Sequence, residues 1–228
     1  MHRRQFSRAL LGTPAALWSL QALAQTASWA PLRPGAPAPT LVPVEGQQFV
    51  RLSQPVPTGP AGRIEVLEFF WYGCPHCLAF EPALDAWVQR LPGDVSFQRV
   101  PVAFSAEPFG VQQRLFYALD RLGLLAALHR KVFYAIHHER IKLDRPAEIA
   151  AFMARHGIES ARFMAAFESV GVLAKARQAT QLGAAYKIDG VPALGVQGRF
   201  YTSASLAGGN EQALAVTDFL IRRVRSGA

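Results

Sequence analysis

The sequence predicts an α/β protein in which a run of helices interrupts an alternating pattern of strands and helices. Two apolar runs, over residues 63–71 and 94–102, indicate strands separated by one helical segment. Helical periodicity then extends over residues 109–169 without a convincing strand, and strands return only at about residue 193. The sheet is therefore expected to be assembled from both sides of an all-helical insertion.

The first strand leads directly into a cysteine motif. Residues 63–71 are almost continuously apolar, which is typical of a central strand covered on both faces. The run ends at Gly73, and the sequence CPHC at positions 74–77 opens a segment with apolar residues at helical spacing. Pro75 suits the first turn of a helix, because an N–H at that position has no partner within the helix. The motif is thus expected at the beginning of a helix.

The insertion and the last elements are predicted from periodicity and from glycine. Three successive segments carry apolar residues at helical spacing: Val111, Leu115, Ala118 and Leu122; Leu125, Leu128, Val132 and Ile136; and Ile149, Phe152 and Met153. Gly157 and Gly171 indicate helix ends. The remaining predicted elements are a helix over 174–186, a hairpin of strands 193–196 and 199–201, and a last helix over about 211–225.

The first 24 residues have the composition of a secretory leader. A basic start with two adjacent arginines precedes a weakly apolar stretch over residues 9–23, which ends in a small-x-small pattern at Ala24. The stretch is too short to span a membrane. Both the general secretory route and the twin-arginine route are compatible with this leader. We therefore expect residues 1–24 to be removed on export, which leaves a Pro-rich lead-in over residues 25–46.

The charge distribution argues against a nucleic-acid-binding protein. The formal net charge is +8, but without the predicted leader the chain carries 21 basic and 16 acidic residues, a net charge of +5. The basic residues are scattered, and their densest group lies at the very end of the chain, at Arg222, Arg223 and Arg225. A surface for a polyanion more often concentrates such residues in runs. Half of the residues are hydrophobic, which is enough for a packed core.

Cys74 and Cys77 are the only cysteines in the chain. A structural disulfide between them would close a ring too small to add much stability, although structural pairs are usual in exported proteins. Zinc needs four ligands, and the histidines at positions 129, 137, 138 and 156 have no recognisable finger spacing. Most of them fall on or at the end of one amphipathic helix, where exposed or core-capping roles are usual. A redox-active dithiol, without a metal, is the favoured interpretation.

These segments resemble the DsbA-type thiol:disulfide interchange family, which has a thioredoxin-like fold. The similarity is carried by FFWYGCPHC at positions 69–77, by GVPALGV at positions 190–196, and by the helical stretch between them. It covers nearly all of residues 47–228. The resemblance implies a thioredoxin-like fold in two parts with an all-helical insertion between them: residues 47–103, 104–173 and 174–228.

The resemblance also implies the roles of the motif residues. Cys74 would be the nucleophile, with its thiolate stabilised by the helix N-terminus and by His76. Cys77, one helical turn further on, would be the shielded thiol that resolves mixed disulfides. Pro75 is the first of the two residues between the cysteines and would complete the active CPHC motif. The only redox group implied is the Cys74–Cys77 disulfide itself, and no further cofactor is expected.

Two further groups of residues follow from the resemblance. Pro192 would be cis and would pack against the disulfide, which leaves the backbone of Val191 free to bind an unfolded client. Glu68 is a carboxylate within the apolar strand, and with Glu81 and Arg99 it matches a charged cluster under the second cysteine. The family commonly has Lys at the third position; Arg99 keeps the charge but cannot exchange a proton. A role in proton transfer and a purely structural ion pair both stay open.

The expected function is that of a monomeric periplasmic dithiol oxidase. It would donate the Cys74–Cys77 disulfide to reduced or unfolded secreted proteins, and a DsbB-type membrane oxidase would restore the disulfide. One alternative is a disulfide isomerase or reductase, but those enzymes usually carry a dimerisation module, for which residues 25–47 are too few. The other is a periplasmic binding or holdase module with incidental cysteines, whose activity would survive the loss of Cys74.

Overall fold

The computed structural model describes residues 42–59, 62–105 and 108–227. The predicted leader and most of the predicted lead-in lie outside the described residues. The strands are β1 (Val50–Arg51), β2 (Ile64–Phe70), β3 (Val95–Pro101), β4 (Ala193–Val196) and β5 (Phe200–Ser203). The helices are α1 (Pro75–Val88), α2 (Phe109–Arg121), α3 (Leu125–His137), α4 (Pro146–Arg155), α5 (Ser160–Phe167), α6 (Val170–Ala185), α7 (Ala204–Ala207) and α8 (Asn210–Arg225). None of these helices is long and apolar enough to cross a membrane.

Strand β2 lies inside a five-stranded mixed sheet of order β1-β5-β4-β2-β3. It pairs in parallel with β3 and antiparallel with β4, which explains why its sequence is apolar on both faces. The register sets Phe69 opposite Ala193. The peptide before β4 therefore lies beside the end of β2, where the cysteine motif begins.

Helices cover both faces of the sheet because alternate residues of β2 point to opposite sides. Val66 packs in a core with residues of α1 and α8, such as Leu84 and Leu220. Leu67 packs in a second core, with Ala179 of α6 and with Tyr186. Both cores are buried, and the first of them packs α1 directly against β2.

The insertion builds a third core, and this core reaches the cysteine motif. Its residues come mainly from α2 to α5, and Phe70, Tyr72, Cys74 and Cys77 belong to the same cluster. Phe70 is in T-shaped contact with Phe116 of α2, at a centroid distance of 5.3 Å. The dithiol thus lies where the helical insertion meets the sheet.

The beginning of α6 differs from the prediction. Gly171 was expected to end a helix, but it lies in the first turn of α6, which begins at Val170. Ser169 explains the difference, because its hydroxyl accepts a hydrogen bond from the backbone N–H of Val172 and caps the new helix. Gly157, in contrast, follows α4 with φ +74°, as expected for a residue that ends a helix.

The close packing of Gly195 in β4 yields a prediction on stability. A Cβ atom at Gly195 would lie 2.5 Å from Cε1 of Tyr186, a fully buried ring whose hydroxyl accepts a 2.8 Å hydrogen bond from the N–H of Gly198. Gly195→Ala is expected to lower the free energy of unfolding by about 1–3 kcal/mol, because the ring has no room to move. Urea denaturation measures this change.

Gly183→Ala is the matched control. Gly183 is also buried, but it lies in α6 and its added Cβ would be at an ordinary distance of 3.7 Å from Val102. Since alanine favours the helix, this variant is expected to keep or raise stability by about 0.5–1 kcal/mol. Equal stability of the two variants would contradict the packing described for β4.

Candidate active site

Cys74 is the residue that precedes α1, with an extended backbone at φ −88° and ψ 116°. Its N–H donates to the carbonyl of Trp71 at 3.0 Å, and its carbonyl accepts from the N–H of Leu78 at 3.2 Å. A tight turn therefore carries the chain from β2 into the helix. The Cys74 sulfur is placed next to the unpaired N–H groups of the first helical turn, which favour a negative charge.

The pKa of Cys74 is lowered from its ordinary value of 9.0 to about 6. The main cause is the hydrogen bond from the Cys77 side chain, and partial burial acts in the opposite direction. The backbone N–H groups of Cys77 and His76 and the charge of His76 lower the pKa further. At neutral pH the reduced Cys74 is consequently a thiolate.

Cys77 has the opposite character. It is fully buried, and burial raises its pKa far above the ordinary range, with the neighbouring Cys74 as the next cause. The Cys77 side chain thus keeps its proton and donates it in a hydrogen bond to the Cys74 sulfur. The two cysteines divide the chemistry between one partly buried, charged sulfur and one fully buried, neutral sulfur.

A groove runs beside the motif. The Val191–Pro192 peptide bond is cis, as the resemblance implied. The carbonyl of Val191 lies 3.4 Å from the Cys74 sulfur and accepts a hydrogen bond from the thiol when Cys74 is protonated. Exposed His76 lines the groove together with Val191, Pro192 and Tyr201, and the volume of the groove is about 480 Å³. Pro75 is exposed at the helix start.

The structure brings the predicted charged residues together under the motif. Arg99 of β3 lies 3.1 Å from Glu68 of β2 and 3.1 Å from Glu81 of α1. It also lies 2.7 Å from Asp85, which the sequence analysis missed although Asp85 follows Glu81 by one helical turn. Glu68, Glu81, Asp85 and Arg99 are called the carboxylate cluster below. Three carboxyl groups thus share one guanidinium.

The two buried carboxyl groups of this cluster, those of Glu68 and Glu81, differ in the direction in which their pKa is shifted. Burial raises the pKa of Glu68 well above its ordinary value, and the charge of Glu81 raises it further, against the effect of Arg99. Burial acts in the same sense on Glu81. There the hydrogen bond and charge of His129, together with Arg99, prevail and lower the pKa. Glu68 is therefore the more readily protonated of the two carboxyl groups.

His129 and Tyr72 extend the cluster, and the sequence analysis missed both. The Tyr72 hydroxyl lies 2.8 Å from Nδ1 of His129, and Nε2 of His129 lies 3.4 Å from Oε1 of Glu81. Two signals were present in the sequence: Tyr72 precedes Cys74 by two residues, and His129 falls within the apolar stripe of α3. A histidine in such a stripe needs a buried polar partner.

The low pKa of Cys74 makes the stability of the reduced protein depend on pH. A thiol whose pKa falls on folding contributes stability that is complete above its unfolded pKa and is lost as the pH falls through the folded pKa. Reduced wild type should therefore gain stability over Cys74→Ser from about pH 6 to about pH 9, by up to about 1.4 kcal/mol for each pH unit.

Denaturation of the reduced proteins at several pH values measures this gain. Oxidised wild type is the control, because it has no free thiol to titrate and should show no such increase. A constant difference between reduced wild type and Cys74→Ser would contradict a stabilised thiolate.

Comparison with known proteins agrees with this geometry. The model of the family described as "DSBA-like thioredoxin domain" matches residues 65–215. The thiol:disulfide interchange protein DsbA of Azotobacter vinelandii is 42% identical over 195 residues, which cover 84% of this chain and 91% of that protein. DsbA of Pseudomonas aeruginosa strain PAO1 is 40% identical over 183 residues, covering 80% of this chain and 86% of that protein.

Solved structures show the same similarity. The crystal structure of Pseudomonas aeruginosa DsbA superposes with a TM-score of 0.77 at 40% identity and covers 80% of this chain and 94% of that chain. The oxidoreductase DsbA from Xylella fastidiosa superposes with a TM-score of 0.75 at 33% identity, covering 81% and 99%. The predicted thioredoxin-like fold with a helical insertion is confirmed. Because the matched residues include the cysteine motif, the insertion and the cis-proline strand, the chain belongs to the DSBA-like thioredoxin domain family.

Proposed function

We propose that the protein is a dithiol oxidase that donates the Cys74–Cys77 disulfide to reduced secreted proteins. The observation that carries this proposal is the contrast between the two cysteines: the pKa of Cys74 is lowered to about 6, whereas that of Cys77 is raised. The thiolate exists only after the disulfide has opened, so its stabilisation favours the reduced form. A disulfide whose reduced form is stabilised is readily given up, and the protein is an oxidant.

The reaction proceeds by two exchanges. A client thiolate attacks the Cys74 sulfur, the Cys74–Cys77 bond breaks, and Cys77 leaves with the electron pair and takes up a proton because its pKa is high. The client is then joined to Cys74 by a mixed disulfide. A second client thiolate attacks the client sulfur and releases Cys74 as a stable thiolate. The client has lost two electrons, and the enzyme holds them as a dithiol.

The groove beside the motif is the proposed client site. Its wall next to the sulfur is the backbone around Val191 and Pro192, and main-chain contacts bind an extended client without regard to its sequence. His76 lies on the same groove, so it faces both the thiolate and the bound client. The site therefore suits unfolded chains whose cysteines are still reduced.

Repeated turnover needs an oxidant for the dithiol. The family resemblance and the predicted leader support a reaction in the periplasm, with a DsbB-type membrane oxidase as the partner that accepts the two electrons. The protein would act as a monomer. Cys74, beside its groove, would serve the client in one half-reaction and the membrane oxidase in the other.

Two cysteine variants test the dithiol mechanism. Cys74→Ser is expected to abolish oxidation of a reduced client, because no nucleophilic sulfur remains at the helix end. Reduced Cys77→Ser, mixed with an oxidised client, is expected to accumulate a mixed disulfide: the Cys74 thiolate opens the client disulfide, and no Cys77 thiol remains to displace the client from Cys74. Gel electrophoresis without reductant detects the adduct, and reductant should release it. Activity that survives in Cys74→Ser, with no adduct in Cys77→Ser, would favour the holdase alternative.

His76 provides a test of oxidising strength. His76→Leu removes the side-chain charge but keeps the backbone N–H that also supports the thiolate. The variant is expected to raise the pKa of Cys74 and lower the reduction potential, by about 30 mV for each pKa unit. Thiolate absorbance and equilibrium with glutathione measure the two effects.

His138→Leu is the matched control, because His138 is also an exposed histidine but lies at the end of α3 and stacks on Tyr134. It is expected to leave both quantities unchanged. If His76→Leu behaves like this control, His76 is only a residue of the turn.

A further inference from the structure

We propose that His129 is a positioning residue for the dithiol chemistry: in its protonated form it is the second cation of the carboxylate cluster, and it makes the oxidising strength depend on pH. This inference rests on the dithiol function proposed above and deepens it. It assigns to the helical insertion a direct electrostatic effect on the redox pair.

The position of His129 is defined on both sides of its ring. The side chain is 8% exposed, with Nδ1 2.8 Å from the Tyr72 hydroxyl and Nε2 3.4 Å from Oε1 of Glu81. Phe70, Phe116 and Phe133 surround the ring at centroid distances of 5.4, 6.0 and 5.3 Å. Because these neighbours bury most of the ring, a charge on it acts more strongly on its surroundings than it would at the surface.

The charge balance of the cluster favours the protonated ring. Three carboxyl groups face one guanidinium, that of Arg99. Even when Glu68 holds a proton, two negative charges, on Glu81 and Asp85, face this single positive charge. Unbalanced charge is costly in a buried site. A proton on His129 makes the cluster neutral, and it turns both ring nitrogens into donors toward Tyr72 and Glu81.

The other groups packed around His129 do not replace this cation. Helix α2 presents the uncharged ring of Phe116, and the exposed Arg130 on α3 lies on the surface beside it. Asp85, Arg99, His129 and Arg130 line a cleft of about 160 Å³ that opens to solvent. The cleft gives protons from water a route to the ring, so His129 can equilibrate with the pH outside.

The charge on His129 affects the cysteines through Tyr72. The Tyr72 hydroxyl contacts Nδ1 of His129, and Tyr72 packs in the same hydrophobic cluster as Cys74 and Cys77. A cation in this buried region favours the thiolate form and therefore makes the protein a stronger oxidant. When the pH rises and the ring becomes neutral, this support is lost. By reciprocity, formation of the thiolate on reduction favours the proton on His129.

The first experiment compares redox equilibria with glutathione between about pH 5.5 and about pH 8.5, a range that brackets the usual titration of histidine. His129→Gln is expected to shift the equilibrium constant about 3- to 10-fold toward a weaker oxidant near pH 7, where Cys74 is a thiolate, and to converge on wild type at the basic end, where the ring is neutral. A shift of the same size at every pH, or no shift, would overturn the proposal.

His137→Gln is the matched control. His137 is on the same helix and its Nε2 lies 2.8 Å from the backbone carbonyl of Tyr72, so it contacts the same residue without contacting a carboxylate. Its variant is expected to differ from wild type by the same factor at every pH. A profile like that of His129→Gln would show that any disturbance of Tyr72 produces the effect, and would overturn the assignment to His129.

The second experiment needs no variant. The imidazole NMR signals of wild type are followed against pH in the reduced and the oxidised protein. His129 is expected to keep its proton to a higher pH in the reduced protein; identical titrations in the two states would overturn the proposal. The wild-type equilibrium separates this failure from a failure of the proposed function. A wild type that is no oxidant toward glutathione contradicts the oxidase function, whereas an oxidising wild type with identical His129 titrations contradicts only the role of His129.

Discussion

The rest of the structure depends on the hydrogen bonds that stabilise the Cys74 thiolate at the first turn of α1. Cys74 receives these hydrogen bonds because the turn after β2 places its sulfur at a helix end and beside the Cys77 thiol. That turn is held by the sheet: β2 pairs with β3 and β4 along its length, and Phe69 opposite Ala193 brings the cis-proline segment alongside. Nucleophile and client groove are therefore placed by one strand.

A carboxyl group within a buried strand needs a partner that offsets the cost of burying its charge. Glu68 lies in the centre of β2 with its side chain fully buried, on the face that α1 covers. Burial of an ionised carboxyl group is costly, and the structure meets this cost with Arg99 from the neighbouring strand and with a raised pKa for Glu68 itself. Arg99 cannot take part in proton exchange, so proton exchange in this cluster is confined to its carboxyl groups and His129.

Much of the fold could be predicted because the signals are local. The apolar run over 63–71, the hairpin near residue 195 and the helical periodicity of the insertion all appear as elements close to their expected bounds. Strand β1, with two residues, is too short to leave a pattern. The network around His129 depends on helix α3 meeting α1 in space, and a contact between residues 48 positions apart has no signature in one sequence. The resemblance supplied Glu81 and Arg99, whereas the places of Asp85 and His129 became apparent only from the three-dimensional structure.

The helical insertion is part of the site and not only an addition to the sheet. It closes the hydrophobic cluster over the buried Cys77, and this burial is the main cause of the raised pKa of that thiol. It also brings His129 to the carboxyl group that shares Arg99 with Glu68. A sheet with the same motif but without these helices would expose Cys77 to water, and the resolving thiol would then lose its proton more readily. The difference in pKa between the two cysteines, which makes the pair an oxidant, thus arises from the junction of the two halves of the fold.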